Sequence, residues 1–428
     1  MSDRAAHQAI EAVWRRESTR LIAGLVRRTG DLTQAEDLAQ DALVQALATW
    51  PSSGVPSNPG AWLMAVASNR SIDQHRQTVR HDRVHEELGH GARTEARTEA
   101  DRSPVELDAA VDDRVDDDVL ALMYLCCHPA LSDDARVALS LRLLGGLTTE
   151  EIGRAYLTSE STIAQRITRA KKVLADNRAG FEHPDGPERA RRLTSLLRVI
   201  YLVFNEGYAA TVGDDLLRPA LCEEALRLVR MLQALAPDQA EVHGLAALLE
   251  IQASRAAART TADGELVLLA DQDRQRWDRL LIRRGLVALD RSEALPGPPG
   301  QYELQARIAA CHARAATFAD TDWTSIAAGY EALALIVPSP VVELNRAVAV
   351  GYSQGPTEGL EIVDALAAIP SFASYHILPS VRGDLLERLG RLDEARAAFE
   401  LAASLTRNDA ERRLLQGRAE ACSAGGRS

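Results

Sequence analysis

Side chains that can bind nucleic acid are concentrated between residues 161 and 178 of this 428-residue chain. The segment carries five basic residues against one acid, Asp176. Arginine and lysine hold phosphates, whereas short polar side chains near a helix start can reach the edges of bases. The polar and basic positions are Ser161, Thr162, Gln165, Arg166, Arg169, Lys171, Lys172 and Arg178. Their types and spacing predict noncovalent recognition of DNA.

Two predicted helices joined by a tight turn would position these side chains. Thr148 and Glu151 have the spacing of a capping box, which marks a helix start. Thr158 and Ser159 interrupt the apolar pattern and supply a second cap. The second helix has one apolar stripe at helical spacing, made by Ile163, Ile167, Ala170 and Leu174. Residues 147–176 therefore predict a helix-turn-helix, with an ordinary hairpin bearing a solvated basic face as the alternative.

Bulk composition restricts where DNA could be contacted. The net charge is −12, so any nucleic-acid contact must come from a local basic patch. The chain has no run of about 18 apolar residues and no apolar signal-peptide core at its start, so we expect a cytoplasmic protein with no membrane contact. The five cysteines are scattered, which favours reduced thiols. We expect no metal and no cofactor.

Residues 7–80 read as three helices, over 9–28, 34–50 and 61–80, with a loop rich in proline and glycine at 51–60. The second helix has an apolar stripe on one side. Its other side is predicted to carry Glu36, Asp37, Gln40 and Asp41. The third helix is predicted to bury Trp62 and its apolar neighbours. Its polar, basic face is predicted to carry Asn69, Arg70, Asp73, Arg76 and Arg80.

These segments together resemble a known family. The run AEDLAQDALVQALATW, the Pro/Gly loop and the run AWLMAVASNRSIDQHR resemble region 2 of sigma-70-family factors, most closely those of the extracytoplasmic-function type. The helix-turn-helix resembles region 4 of the same family. The resemblance covers most of residues 7–178 and implies a sigma factor whose partners are promoter DNA and the RNA polymerase core.

The resemblance also implies roles for single residues in region 2. In the family, an acidic helix docks on the clamp helices of the polymerase β′ subunit, which here implies Asp37, Gln40 and Asp41. The following loop and helix open the −10 element and hold a flipped base. The matching positions in the third helix are Asn69, Arg70, Asp73 and Arg76.

Region 4 of the family reads the −35 duplex in the major groove and contacts the β flap of the core. The matching positions of the recognition helix are Ser161, Thr162, Gln165, Arg166 and Arg169, with Lys172 as a further basic contact. Ala164 stands where relatives often carry a basic residue, which implies that one DNA contact is missing.

Between the two regions, residues 82–118 predict an acidic flexible linker. Thirteen acids and five arginines give the segment a net charge of −8, and such a composition buries too little apolar surface to fold. A second interpretation is that the run VDDRVDDD competes with DNA for basic surfaces. We therefore expect a region-2-like domain at 7–81, this linker, and a region-4-like domain at 119–179.

The remaining residues, 184–422, are again helical by pattern and exceed what promoter recognition needs. Short helices in pairs are predicted over 301–319, 324–337, 340–352, 358–368, 380–389 and 393–406. Gly390, Ala395 and Phe399 follow the cadence of a tetratricopeptide repeat. We expect a TPR-like helical extension, with a plain bundle as the alternative. The expected fold class is all-α: two small helical DNA- and polymerase-binding domains and this extension.

Three motifs in the extension, FNEGY, ADQDRQRWD and ELNRAVAV, resemble signatures of a subgroup of these sigma factors with a C-terminal tetratricopeptide-like extension. The motifs place charged residues inside apolar stretches, where they could contact the rest of the chain or bind a signal. The alternative is that they are caps and salt bridges between repeats. These residues are Glu206, Asp271, Asp273, Arg274, Glu343 and Arg346.

The sequence predicts a sigma factor that brings the polymerase core to −35 and −10 elements and helps to melt the promoter. The extension would regulate that activity in cis, in response to an unknown signal or regulator. A ligand-responsive DNA-binding regulator that never engages the polymerase is the alternative. No nucleophile triad, Walker loop or dinucleotide fingerprint occurs, so we do not expect an enzyme, although one housed in the extension is a third hypothesis.

Overall fold

Helices and short 3₁₀ turns make up the secondary structure. The computed structural model describes residues 3–86, 108–156, 158–177, 179–181, 183–208, 218–261, 266–372, 374–406 and 408–425. Within these ranges the only strand-like pairing is an isolated bridge between Thr260 and Leu266. The predicted all-α fold class is therefore confirmed. The helices divide between two compact units, residues 1–199 and 200–428.

The first unit is built from seven described helices and the start of an eighth. They are α1 (Asp3–Thr29), α2 (Leu32–Ser53), α3 (Pro59–Glu86), α4 (Asp108–Cys126), α5 (Asp133–Leu143), α6 (Thr149–Ala155), α7 (Glu160–Asp176) and α8 (Gly186–Tyr208). Asp31 caps α2 by accepting from the backbone N–H of Gln34 at 2.9 Å. Trp50 near the end of α2 is buried and meets Trp62 of α3 edge-on, with ring centroids 5.2 Å apart.

Helix α1 is shared by both halves of this unit, because it packs against α2 and α3 and also against α4. Leu21, Leu25 and Val26 on α1 are almost fully buried. Each such side chain contributes about 1.5–3 kcal/mol when it leaves water. The buried Thr19 hydroxyl donates to the carbonyl oxygen of Leu144 at 2.9 Å, just after α5. The two sets of helices therefore share a core.

The ends of the predicted acidic linker are helical in the structure. Helix α3 continues to Glu86 and α4 begins at Asp108, while residues 87–107 lie outside the described part of the chain. Acids near the start of α4 suit the positive end of its helix dipole, which favours a helix there despite the charge. Asp118 is buried and pairs with Arg27 of α1 at 3.0 Å. Asp116 lies 3.7 Å from Arg20.

The second unit holds the rest of α8 and ten further described helices. They are α9 (Pro219–Leu235), α10 (Ala240–Ala253), α11 (Arg279–Glu293), α12 (Gln301–Arg314), α13 (Trp323–Ile336), α14 (Pro340–Ser353), α15 (Pro356–Ala367), α16 (Ile377–Arg388), α17 (Leu392–Leu405) and α18 (Asp409–Gly425). From α12 onward each helix packs against the next, as in a helical repeat array. Phe399 of α17 is fully buried and lies against Gly383 of α16.

One part of this unit is less helical than its sequence pattern predicts. Residues 266–278 form two 3₁₀ turns, Leu269–Asp271 and Arg274–Arg276, and α11 begins only at Arg279. The Asp278 carboxylate accepts from the backbone N–H groups of Leu280 and Leu281, so it starts the helix there. None of the described helices is both long and apolar enough to cross a bilayer.

Candidate nucleic-acid interface

The predicted helix-turn-helix is formed by α6 and α7. The capping box is present, with Thr148 accepting from the Glu151 N–H and the Glu151 carboxylate accepting from the Thr148 N–H. Ser159 caps α7 by accepting from the N–H of Thr162. Gly153 allows the tight turn, because a methyl group there would lie 2.9 Å from the carbonyl oxygen of Thr158. Both predicted caps are confirmed.

Helix α7 separates an apolar face from a polar one as its pattern predicts. The apolar face is buried and consists of Ile163, Ile167, Ala170 and Leu174. The polar face exposes Ser161, Gln165, Arg169 and Lys172 to solvent. Thr162 is half-buried, and its hydroxyl lies 2.8 Å from the hydroxyl of Ser159. Because the first turn presents hydroxyl and amide groups and the later turns present cations, the helix can offer both base-edge and phosphate contacts.

Arg166, also on α7, forms an ion pair with an acid of another helix. Its guanidinium lies 3.4 Å from the carboxylate of Asp134, at the start of α5. Both side chains are well exposed, at 38% for Arg166 and 71% for Asp134, so solvent screens the pair and its contribution to stability is small. Arg166 can therefore exchange this carboxylate for a phosphate or a base edge at little cost.

A buried carboxylate joins three helices beneath this surface. Glu36 of α2 is only 6% exposed, although the sequence pattern placed it on the solvated side of that helix. It contacts Arg142 of α5 at 2.9 Å and Lys171 of α7 at 2.5 Å. Burial acts to raise the pKa of Glu36, but the two cations outweigh it, so the pKa lies below its ordinary value. Lys171 thus faces the protein and not the exposed side of α7.

Two of the three positions on α2 that are predicted to contact the polymerase are exposed. Asp37 and Gln40 are exposed, and Gln40 donates to Glu36 at 3.3 Å. Asp41 is half-buried and pairs with Arg70 of α3 at 2.5 Å. The structure therefore brings together Asp41, expected to contact the polymerase, and Arg70, expected to contact DNA.

Of the four positions on α3 that are predicted to contact DNA, the structure describes the side chains of two. Asn69 and Arg70 are both exposed, as a nucleic-acid contact requires. The side chains of Asp73 and Arg76 lie outside the described part of the chain, although their backbone belongs to α3. Trp62, predicted to be buried, is half-buried, and its ring packs against Trp50. The apolar neighbour Ile72 is exposed, so the predicted core face of this helix is only partly formed.

The charged residues singled out in the extension have mainly local partners. Glu206 pairs with Arg218, and Glu343 accepts from Arg346 of the same helix at 2.9 Å. Arg274 is buried and donates to the carbonyl oxygen of Ala315 at 2.8 Å and to the hydroxyl of Thr321 at 3.2 Å. Asp273 caps the turn that carries Arg274, and Asp271 is exposed.

The contacts that Glu36 makes cannot be seen in the local sequence pattern. Arg142 and Lys171 follow it by 106 and 135 residues, from 142 − 36 and 171 − 36, so no local pattern joins them. A signal did exist in the position of Glu36 itself, next to Ala35 and one turn before Ala39, both of which are fully buried. At the edge of an apolar stripe, a carboxylate needs a cation if it is to stay charged.

Three family models match the chain. Sigma-70 region 2 matches residues 13–81, and Sigma-70, region 4 matches residues 121–174. A Family of unknown function (DUF6596) matches residues 192–293. The last match begins within α8 and ends at the end of α11.

Curated relatives and one solved structure are also similar. Uncharacterized protein R00370 of Rhizobium meliloti (strain 1021) is 42% identical over 396 residues, which are 91% of this chain and 90% of that protein. ECF RNA polymerase sigma factor SigL of Mycobacterium tuberculosis (strain ATCC 25618 / H37Rv) is 29% identical over 150 residues, 35% of this chain and 77% of that protein. The yeast Tom70 crystal structure aligns with 99% of this chain and 85% of that one, at 12% identity and a TM-score of 0.35. That score is too low to support any conclusion.

Proposed function

Since this chain belongs to the sigma-70 family, in its extracytoplasmic-function type, we propose that it directs RNA polymerase core to specific promoters and helps to melt them. One observation carries the proposal: matches to regions 2 and 4 occur in that order on one chain. A DNA-binding regulator that works without polymerase has no use for region 2.

We assign recognition of the −35 duplex to the exposed face of α7. Gln165, Arg166 and Arg169 are the side chains long enough to enter a major groove, and Ser161 and Thr162 stand at the N-terminal end that would approach the bases. Lys172 is exposed further along the same helix and would hold a phosphate. The apolar face of α7 stays buried in the first unit, so binding does not require the helix to unfold.

Contact with the opened −10 strand is assigned to α3. Exposed Asn69 and Arg70 supply an amide and a guanidinium, which suit a flipped base and its phosphate. Asp73 and Arg76 are retained as members of this proposed surface on the strength of the family. Arg70 would have to leave Asp41 to make a phosphate contact, and both side chains are at least 38% exposed, so that exchange costs little.

The polymerase would be bound through the acidic face of α2. Asp37 and Gln40 are exposed acceptors that can pair with basic residues, and the family implies the β′ clamp helices as the partner. We further propose that the region-4-like half contacts the β flap. A cytoplasmic location follows from the same role, since the core polymerase works there.

We propose a division of the chain into a region-2-like domain (7–81), a linker (82–118), a region-4-like domain (119–179) and the extension (184–422). The extension is proposed to regulate transcription in cis. The support is its size: the second compact unit covers residues 200–428, beyond both matched sigma regions. A fragment of residues 1–208 keeps α8 whole and can be compared with the full chain at equal core binding. A difference of several fold in transcript yield, of either sign, is expected. Equal yields would remove the regulatory role.

Strand opening gives a direct test of the proposed mechanism. DNA from upstream of the chain's own gene would be probed with permanganate, which oxidises unstacked thymines. Thymines near −10 should react only when the core and this protein are both present. Asp37→Arg should abolish the signal by repelling the core, whereas Asp290→Arg, which changes an exposed acid on α11, should leave it intact. Reactive thymines with core alone would count against the proposal.

A further inference from the structure

A cavity of about 440 Å³ lies within the second unit, between α10, α12, α13 and α14. Its volume falls in the range of small-molecule sites in proteins. Much of the wall is apolar, with Leu248, Ile251, Ile308, Leu333 and Val337. The rings of Tyr201, Trp277 and Tyr330 complete that part of the wall. The lining therefore suits a ligand with an apolar body.

Three polar atoms of residues that line the cavity have no hydrogen-bond partner. They are Nε1 of Trp277, Nε of Arg255 and Nδ1 of His312. Trp277 is only 2% exposed, so its N–H cannot be satisfied by bulk solvent. Buried donors are nearly always paired in folded proteins, and an unpaired one calls for an acceptor that the chain does not supply.

The charge in the wall is one-sided. Among the described residues that line the cavity, Arg255 is the only charged side chain, and none is acidic. Arg255 donates through Nη2 to the neutral side chain of Gln252, and its guanidinium carbon lies 5.8 Å from the centre of the Trp277 ring. Neither of these partners is an acid. Burial, together with Arg255 and Arg274, lowers the pKa of His312 to about 4, so the imidazole is neutral near pH 7. The cavity is thus a positive, largely apolar site.

The local fold holds these donors in place. Trp277 follows the 3₁₀ turn Arg274–Arg276, and the buried Arg274 guanidinium lies 4.8 Å from the centre of its ring. The backbone N–H of Asp278 donates to the carbonyl oxygen of Ser254 at 2.9 Å, which fixes the turn beside Arg255. The segment that departs from the predicted helix therefore serves to place Trp277 at the cavity wall.

We propose that this cavity binds a small organic carboxylate with an apolar body, whose carboxylate accepts from Nε of Arg255 and Nε1 of Trp277. Two oxygens match two donors, and the rings and aliphatic side chains take the remainder of the ligand. The site lies wholly within the second unit. Binding there does not depend on whether the extension regulates transcription.

A matched pair of probes tests the charge requirement. Isothermal titration calorimetry on the full-length protein would compare 3-phenylpropionate with 3-phenylpropionamide, which has the same body without the charge. The carboxylate should bind at least about tenfold more tightly, as expected when a charge-assisted hydrogen bond is lost from the amide. Equal affinities, or no binding of the carboxylate at about 10 mM, would overturn the proposal.

Two variants and a control locate the binding site. Arg255→Gln removes the charge, and Trp277→Phe removes the N–H while keeping an aromatic ring, so the second variant remains informative if the first fails to fold. Each should weaken 3-phenylpropionate binding about five- to tenfold. Arg283→Gln, at an exposed arginine of α11 that does not line the cavity, should change nothing. If Trp277→Phe binds like the unchanged protein, the assigned carboxylate position is wrong.

Discussion

Glu36 is a residue at which charged side chains from three helices of the first unit meet. It lies on α2, accepts from Arg142 of α5 and pairs with Lys171 of α7. Its side chain is 8% exposed, while those of Lys171 and Arg142 are 18% and 23% exposed, so water screens the cations only in part. A carboxylate buried to this degree stabilises the fold only while both cations are present.

Replacing Glu36 by glutamine should therefore destabilise the first unit. Glu36→Gln leaves two cations facing a neutral amide, and we expect a loss of about 2 kcal/mol in the free energy of unfolding, after discounting for the exposure of the cations. Chemical denaturation measures the change. Glu400→Gln, at an exposed position of α17, is the control and should stay within about 0.5 kcal/mol of the unchanged protein. No difference between the two variants would remove the assigned role.

The same carboxylate should give the stability a defined pH dependence. The folded pKa of Glu36 is depressed below 4.5, so its contribution is present above that value and is lost as the pH falls through the folded pKa. The gap between the unchanged protein and Glu36→Gln should thus be full near pH 7 and shrink on acidification below about pH 4.5. Urea denaturation at several pH values tests this, and a gap that widens on acidification would contradict it.

Arg166 is the residue whose loss best separates base reading from phosphate binding. Arg166→Ala should weaken binding to −35 DNA by about 1–3 kcal/mol if the side chain reads a base, with relaxed specificity at one position. If it holds a phosphate, binding should weaken equally on all sequences. The slope of log affinity against log salt concentration should then fall by about one. Fluorescence anisotropy on matched and scrambled duplexes distinguishes these results, with Arg191→Ala on α8 as the control. Unchanged affinity would exclude Arg166 from the interface.

The helix-turn-helix depends on one close approach between α6 and the turn that follows it. A methyl group at Gly153 would lie 2.9 Å from the Thr158 carbonyl oxygen and 3.3 Å from the Glu160 nitrogen. Both are backbone atoms, so they cannot rotate away as a side chain would. The turn would have to open, and α7 would shift relative to α6.

Gly153→Ala should therefore cost about 1–3 kcal/mol of stability, as overpacking does elsewhere, and should lower affinity for −35 DNA. Gly417→Ala is a matched control, because Gly417 is a helical glycine of α18 with open space around it. That substitution should be neutral or stabilise by up to about 1 kcal/mol. Thermal melting and duplex binding provide the two measurements. Equal melting temperatures for the two variants would show that the turn tolerates a side chain.

Elements defined by local signals could be predicted from the sequence. Helices α6 and α7 follow from two caps and one apolar stripe, all within about 30 residues, and the structure confirms them. The cluster at Glu36 could not be predicted, because its partners come from helices far along the chain. The helical pattern over residues 266–278 is wrong, because Asp273 caps a short 3₁₀ turn there and Asp278 starts α11 only at Arg279. The side chains of Arg255, Trp277 and His312 likewise meet only through tertiary packing.

The whole molecule is acidic, but exposed basic side chains on α7 form a local surface that suits contact with DNA. The net charge is −12, yet α7 exposes Arg169 and Lys172 on one face. Two acids of the predicted linker form ion pairs with arginines of α1: Asp116 with Arg20, and Asp118 with Arg27. We therefore expect non-specific attraction to DNA to be weak, and we propose that binding to the polymerase core supplies the further energy that a specific complex needs.

Run-off transcription with purified core RNA polymerase tests this account most directly. The template would be DNA from upstream of the chain's own gene, with core alone and core plus the full-length protein compared at equal concentrations. A sigma factor should give a discrete transcript that appears only when the protein is added and is lost with Asp37→Arg. A transcript of equal yield without the protein, or no binding of the protein to core in the same mixture, would contradict it.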